Sequence, residues 1–83
     1  MTQMQTDWHR ADVIAALKKQ GWSLRRLSIS AGLSANTLRN ALQSPYLKGE
    51  KIIATAIGVP AETIWPSRYA ARNLKPRFNQ VDL

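Results

Sequence analysis

The stretch WSLRRLSISAGLSANTLRNAL, residues 22–42, decides the fold. It carries the same punctuation twice. Trp22-Ser23 is followed by Leu27, and Leu33-Ser34 by Leu38, with Gly32 between the two copies. A serine at the head of a helix can accept an amide hydrogen bond from the first turn. An apolar residue just before it, paired with one in the second turn, has the spacing of a hydrophobic staple. The stretch is therefore expected to form two short capped helices, one from Ser23 to about Ala31 and one from Ala35 to about Gln43, joined by a glycine turn. That arrangement is a helix-turn-helix unit. Leu24, Leu27, Leu38, Ala41 and Leu42 would share a core, and the small residues Ser28 and Ala31 would let the helices approach closely.

Working outward, Asp7 is expected to cap a first helix that runs to about Gln20. Val13, Ile14 and Leu17 share one face of it, and Lys18 and Lys19 suit the negative end of its dipole. Downstream, QSPYLKG reads as a loop and EKIIATAI as a helix with Ile52, Ile53, Ala56 and Ile57 inward and Glu50 favourable at its start. VPAETIW reads as a fifth short helix with Pro60 in its first turn, which Pro66 prevents from continuing. The expected architecture is all-α, five short helices around the helix-turn-helix. Residues 1–6 read as a flexible leader, 7–69 as the domain, and 70–83 as a basic tail that is partly disordered.

The charge balance points to a polyanion. Twelve Lys+Arg oppose five Asp+Glu, a net charge of +7 in an 83-residue chain, with a pI near 10.6. The chain has no cysteine, so disulfides and thiolate metal sites are excluded. No apolar run is long enough to cross a membrane, and the first residues do not read as a secretory signal. A cytoplasmic protein without a membrane partner is expected.

In a helix-turn-helix the second helix enters the major groove while the first crosses the backbone. The outward residues of the second helix should then match base edges. With Leu38, Ala41 and Leu42 inward, the outward set is Ser34, Ala35, Asn36, Thr37, Arg39, Asn40 and Gln43. Arginine forks onto guanine, Asn and Gln pair with adenine, and Thr or Ala touches the thymine methyl. The set contains one cation and no acid. Arg25 and Arg26 at the start of the first helix, Lys48 in the following loop, and Lys51 are the candidate phosphate contacts. Arg68 and the tail cations Arg72, Lys75 and Arg77 would add diffuse attraction.

Other classes leave weaker marks. The single histidine, His9, lies near Asp7 and Asp12, but no nucleophile or phosphate loop accompanies them, so no catalytic constellation forms. Their spacing is also unlike a zinc site, and no cofactor is expected. Ile29, Tyr46 and Leu47 are apolar residues that the core does not absorb, and they would form the contact surface of a protein-interaction module. A basic protein binding nucleic acid without sequence preference is a further alternative.

DWHRADVIAAL, LSISAGLSANTLRNAL, KGEKIIATAIG and IWPSRY together resemble the Ner family, which comprises repressors of Mu-like phages and their bacterial Ner-like relatives. The similarity spans residues 7–69. DWHRAD and IWPSRY carry most of its specificity, because a generic helix-turn-helix demands neither. The resemblance implies an all-α, lambda-repressor-like domain that represses transcription at a double-stranded DNA operator and, in such phages, controls early transcription in transposition and the lysis decision. It places the helix-turn-helix at Leu24–Gln43. A homodimer, assembling on the DNA itself, would let two reader helices share one site. The sequence departs from the family pattern at Tyr46-Leu47, where a Trp-Pro pair is usual, and at Ser28, where alanine is preferred.

Overall fold

The computed structural model describes residues 6–74. These form six helices: α1 (Arg10–Lys19), α2 (Leu24–Ser30), α3 (Thr37–Gln43), α4 (Leu47–Ile57), α5 (Ala61–Ile64) and α6 (Pro66–Leu74). Among the described residues there is no strand. The core is one cluster in which Val13 and Leu17 of α1 meet Leu27, Leu38, Ala41, Ile53, Ile64 and Trp65. Leu24, Leu42, Ile52, Ala56 and Ile57 pack against it while half-buried.

The doubled punctuation begins with two helix stops. Gly21 and Gly32 take the left-handed conformation at φ 84° and 81°. After each, an apolar residue donates back to the last turn: Trp22 N–H to the Leu17 carbonyl and Leu33 N–H to that of Ser28, both at 2.9 Å. These are the six-to-one bonds of the Schellman stop. Trp22 and Leu33 therefore end one helix before they introduce the next.

The two starts differ. Ser23 caps α2 as expected, its Oγ accepting from Arg26 N–H at 3.1 Å. Ser34 does not cap α3. A single turn intervenes, closed by Thr37 N–H to the Ser34 carbonyl. The helix then starts at Thr37 behind Asn36, which makes no side-chain cap. Ser34 Oγ instead pairs with Thr37 Oγ1 at 2.7 Å.

The remaining expectations need four corrections. First, His9 caps α1 through Nδ1, which accepts Ala11 N–H at 3.0 Å. Asp7 is engaged elsewhere: its carboxylate accepts Ser67 N–H at 2.8 Å and Ser67 Oγ–H at 2.6 Å. Second, there are six helices, not five. Pro66 ends α5 but also opens α6, because a first-turn proline forfeits only an amide that has no intrahelical partner. The boundary expected at residues 69–70 thus falls inside α6, while Lys75 and Arg77 lie outside the described residues. Third, Pro60 is the N-cap of α5. Fourth, α4 starts at Leu47, so Lys48 lies in a helical first turn and not in a loop.

The early start of α4 follows from Gly49 and Glu50. A Cβ on Gly49 would lie 2.9 Å from Ala41 Cβ and 2.8 Å from Tyr46 Cδ2, so glycine lets α3 and α4 cross closely. Glu50 is fully buried. Its Oε2 accepts Tyr46 N–H at 3.0 Å, satisfying one unpaired amide at the head of α4. The buried stripe of α4 is Gly49, Glu50, Ile53 and Ala54, turned by about one residue from the expected apolar side.

Burial pushes the Glu50 pKa up, but hydrogen bonds from Arg72, the Tyr46 amide and Arg68 outweigh it and hold the carboxyl at about 2, below its ordinary 4.5. A depressed carboxyl contributes stability in full above its unfolded pKa and loses it as pH falls through the folded one. At 1.36 kcal/mol per pKa unit, about 3 kcal/mol should disappear between roughly pH 4.5 and 2. Thermal melts across this window should show that loss in the wild type. Glu50→Gln should be less stable at pH 7 and should lack this component of the acid transition. Parallel pH profiles for the two proteins would refute the assignment.

Candidate nucleic-acid interface

The second helix of the helix-turn-helix is short, seven residues, and both of its ends are held from outside. Its N-terminal end is held by Ser28 of α2, a buried residue whose Oγ accepts Leu38 N–H at 3.1 Å. Leu38 lies in the first turn of α3, where amides lack an intrahelical acceptor. Ser28 therefore supplies the cap that Asn36 does not.

The C-terminal end is held by Arg68 of α6. Its Nη1 donates to the Ala41 carbonyl at 2.8 Å and its Nη2 to the Leu42 carbonyl at 3.1 Å. Nη1 also donates to Glu50 Oε2 at 3.0 Å. Arg72 donates to both oxygens of the same carboxylate, at 2.7 and 2.9 Å. Each guanidinium lies over an aromatic ring, Arg68 over Trp65 and Arg72 over Tyr69. Arg68 and Arg72 read in sequence as diffuse cations; they are instead spent on the fold. No sequence signal marks this network, because its members lie 18 and 22 residues apart.

With α3 held in this way, Asn36, Arg39, Asn40 and Gln43 are exposed, at the i, i+3, i+4, i+7 spacing of one helix face. Ser34 is exposed too, but its hydroxyl is tied to Thr37. Ala35 and Thr37 are half-buried. The structure thus gathers four of the seven expected base-reading residues on one open face and sets the other three at its N-terminal edge.

The four expected phosphate contacts divide. Arg25 is exposed on the first turn of α2. Arg26 is exposed as well, but Nη1 donates to the Gly21 carbonyl at 2.8 Å and the guanidinium lies over Trp22. Lys48 and Lys51 are exposed on α4 and flank an apolar groove floored by Trp22, Leu27, Ile52 and Ala56. Ile29, Tyr46 and Leu47 are exposed large apolar residues, Ile29 the most so. His9 is committed to its cap, and among the described residues no group of His, Asp or Glu is placed to hold a metal ion. Among the same residues no helix is long and apolar enough to cross a membrane.

A turn-linked helix pair whose second member offers an open, acid-free polar face defines a helix-turn-helix domain of the DNA-binding class. Comparison with known proteins agrees. The family described as winged helix-turn-helix DNA-binding matches residues 7–80, although the described residues contain no strand to form a wing. The chain is 53% identical over 72 residues to the Mu-like prophage FluMu DNA-binding protein Ner of Haemophilus influenzae, covering 87% of this chain and 81% of that protein. It is 57% identical over 65 residues to the negative regulator of transcription of Escherichia phage Mu, covering 78% and 87% of the two chains. The solution structure of the Mu Ner protein superposes with a TM-score of 0.67 at 57% identity, over 76% of this chain and 85% of that one. The chain belongs to the Ner family of helix-turn-helix DNA-binding proteins. This is a family of DNA-binding regulators and not of enzymes.

Ser28→Ala should leave the buried Leu38 amide without its acceptor, at a cost of about 1–3 kcal/mol. Amide exchange at Leu38 should accelerate beyond what the global change in stability explains. Unchanged protection there would mean that the serine does not cap α3.

Proposed function

We propose that this protein is a transcriptional repressor that binds double-stranded DNA sequence-specifically and lays α3 in the major groove. The observation that carries the reading is the open face of Asn36, Arg39, Asn40 and Gln43 on a helix held at both ends. Ser34, Ala35 and Thr37 at its edge would meet the bases nearest the N-terminus of α3. Arg25, Lys48 and Lys51, with the part of Arg26 not engaged with Gly21, would contact phosphates on either side. Relatives described as negative regulators of transcription support repression as the sign of regulation. Early transcription of a Mu-like prophage, in the cytoplasm, is the fitting target.

Two copies would share one operator. A single seven-residue reader helix contacts few base pairs, and half-sites of such proteins recur about ten base pairs apart. Ile29, Tyr46 and Leu47 are the apolar residues free for a contact between copies, which could form only on DNA.

Selection of bound sequences from random duplex DNA at about 150 mM salt, where weak non-specific complexes fade, tests the proposal. An enriched motif with a repeated half-site is the expected result; no enrichment would remove it. Neutralising about six phosphates would give a log-log salt slope near −5, whereas an apolar protein interface would show little salt dependence. Arg39→Ala should cost about 1–3 kcal/mol on the enriched site and relax selectivity at one base pair. An equal loss on random DNA would make Arg39 a phosphate contact.

A further inference from the structure

The clamp at the end of α3 lies beside the reading face. Arg68 bonds the carbonyls of Ala41 and Leu42, so its guanidinium fixes the two peptide planes between Ala41 and Gln43, directly after Asn40. The last carbonyls of a helix have no intrahelical donor, and a cation there also meets the negative end of the dipole. Arg68 is itself fixed. Its side chain is 10% exposed, Glu50 Oε2 neutralises it, and the Trp65 ring covers it at 5.0 Å. A helix of seven residues has too few internal bonds to set its own direction. Its surroundings must set that direction; at the C-terminal end these are the packing of Ala41 against Gly49 and the hydrogen bonds from Arg68.

We infer that Arg68 is a positioning residue for base recognition: by clamping the Ala41 and Leu42 carbonyls it aims Asn40 and Gln43 at their bases without touching DNA. The inference rests on the DNA-binding reading above. It matters because bidentate amide-to-adenine bonds tolerate little misalignment, whereas a phosphate contact tolerates more. Loosening the clamp should therefore erode discrimination before it erodes general affinity. Arg72 provides an internal control, since it bonds the same Glu50 carboxylate but no α3 carbonyl.

The test compares wild type, Arg68→Ala, Arg68→Lys and Arg72→Ala. Each is measured well below its melting temperature on the selected operator and on a scrambled duplex of equal length. Arg68→Ala should lose about tenfold or more on the operator and little on the scrambled duplex, so the specificity ratio falls. A base-substitution scan should show the loss confined to the pairs read by Asn40 and Gln43, with discrimination by Arg39 retained. The salt slope should not change. Arg68→Lys, which keeps the charge but not the fork, should recover part of the ratio. Arg72→Ala should lower the melting temperature and leave the ratio intact.

Equal losses on both duplexes, with the salt slope smaller by about 0.9, would make Arg68 a phosphate contact and overturn the inference. So would a ratio that Arg68→Ala leaves unchanged, or that Arg72→Ala lowers as much. If Arg68→Ala does not fold, Arg68→Gln replaces it: the amide donates to a carbonyl without charge, and the same ratio is read. If the wild type enriches no motif, the DNA-binding reading fails first; if it does and the ratio survives in the variants, only the role of Arg68 fails.

Discussion

A single buried carboxylate joins the parts of this domain that would otherwise be independent. Glu50 has no exposed surface. A lone charge in that position would be expelled or protonated, because desolvation disfavours it strongly. It stays ionised because two guanidiniums and a backbone amide converge on its two oxygens. The donors come from α6 and from the head of α4, and one of them, Arg68, continues to the end of α3. Removing one partner of a buried pair commonly costs about 3–5 kcal/mol, more than the pair contributes relative to an apolar substitute. The network's value to this fold lies in direction: hydrogen bonds fix angles between three short helices, which apolar contact alone leaves loose.

The network would not form if α6 lay elsewhere, and α6 is placed from the opposite end of the chain. Asp7 caps its first turn across 60 residues, bonding both the amide and the hydroxyl of Ser67. Trp8 N–H donates to the Ile64 carbonyl at 2.9 Å beside it. Thus DWHRAD and IWPSRY, which no generic helix-turn-helix demands, are two halves of one clasp. The clasp aims α6, α6 delivers Arg68, and Arg68 holds the last turn of α3. Ser28 holds the first turn. A helix too short to persist alone is thereby fixed at both ends by residues distant from its own reading face.

The outline of this arrangement was legible because its signals are local. Gly21 and Gly32 stop helices through their own backbone, Ser23 caps within four residues, and the leucine spacing sets which faces turn inward. Val13, Leu17, Leu27, Leu38, Ala41 and Ile53 could all be placed in the core on that basis. The misreadings share a cause. Asp7 has the look of a cap, and it is one, but for a helix 60 residues away. Ser34 repeats the pattern of Ser23, yet the turn at Ala35-Asn36 delays the helix and Ser28 takes over the capping. Glu50 beside a helix start suggests dipole compensation; only the crossing at Gly49 shows that it faces inward. Arg68 and Arg72 look like surface charge because their partner is remote in sequence. Local rules identify a residue's chemistry but not which distant group will use it.

That distinction bears on how the domain would divide its work on DNA. Arg68 and Arg72 are bound to Glu50, so much of the basic charge of the α6 region is internal. The face of α3 carries Arg39 as its one cation among amides. In the proposed complex, attraction would come mainly from Arg25, Lys48 and Lys51 on the flanking helices, while recognition would come from short, oriented side chains on α3. The first is long-ranged and weakened by salt; the second is short-ranged and depends on aim. Because hydrogen bonds from Arg72, the Tyr46 amide and Arg68 hold the Glu50 carboxyl well below its ordinary pKa, the proposed clamp would keep its charge throughout the physiological range. Changes in salt should therefore tune how strongly the domain holds DNA in general, while the geometry of α3 would depend on the bonds from Ser28 and Arg68 at its two ends.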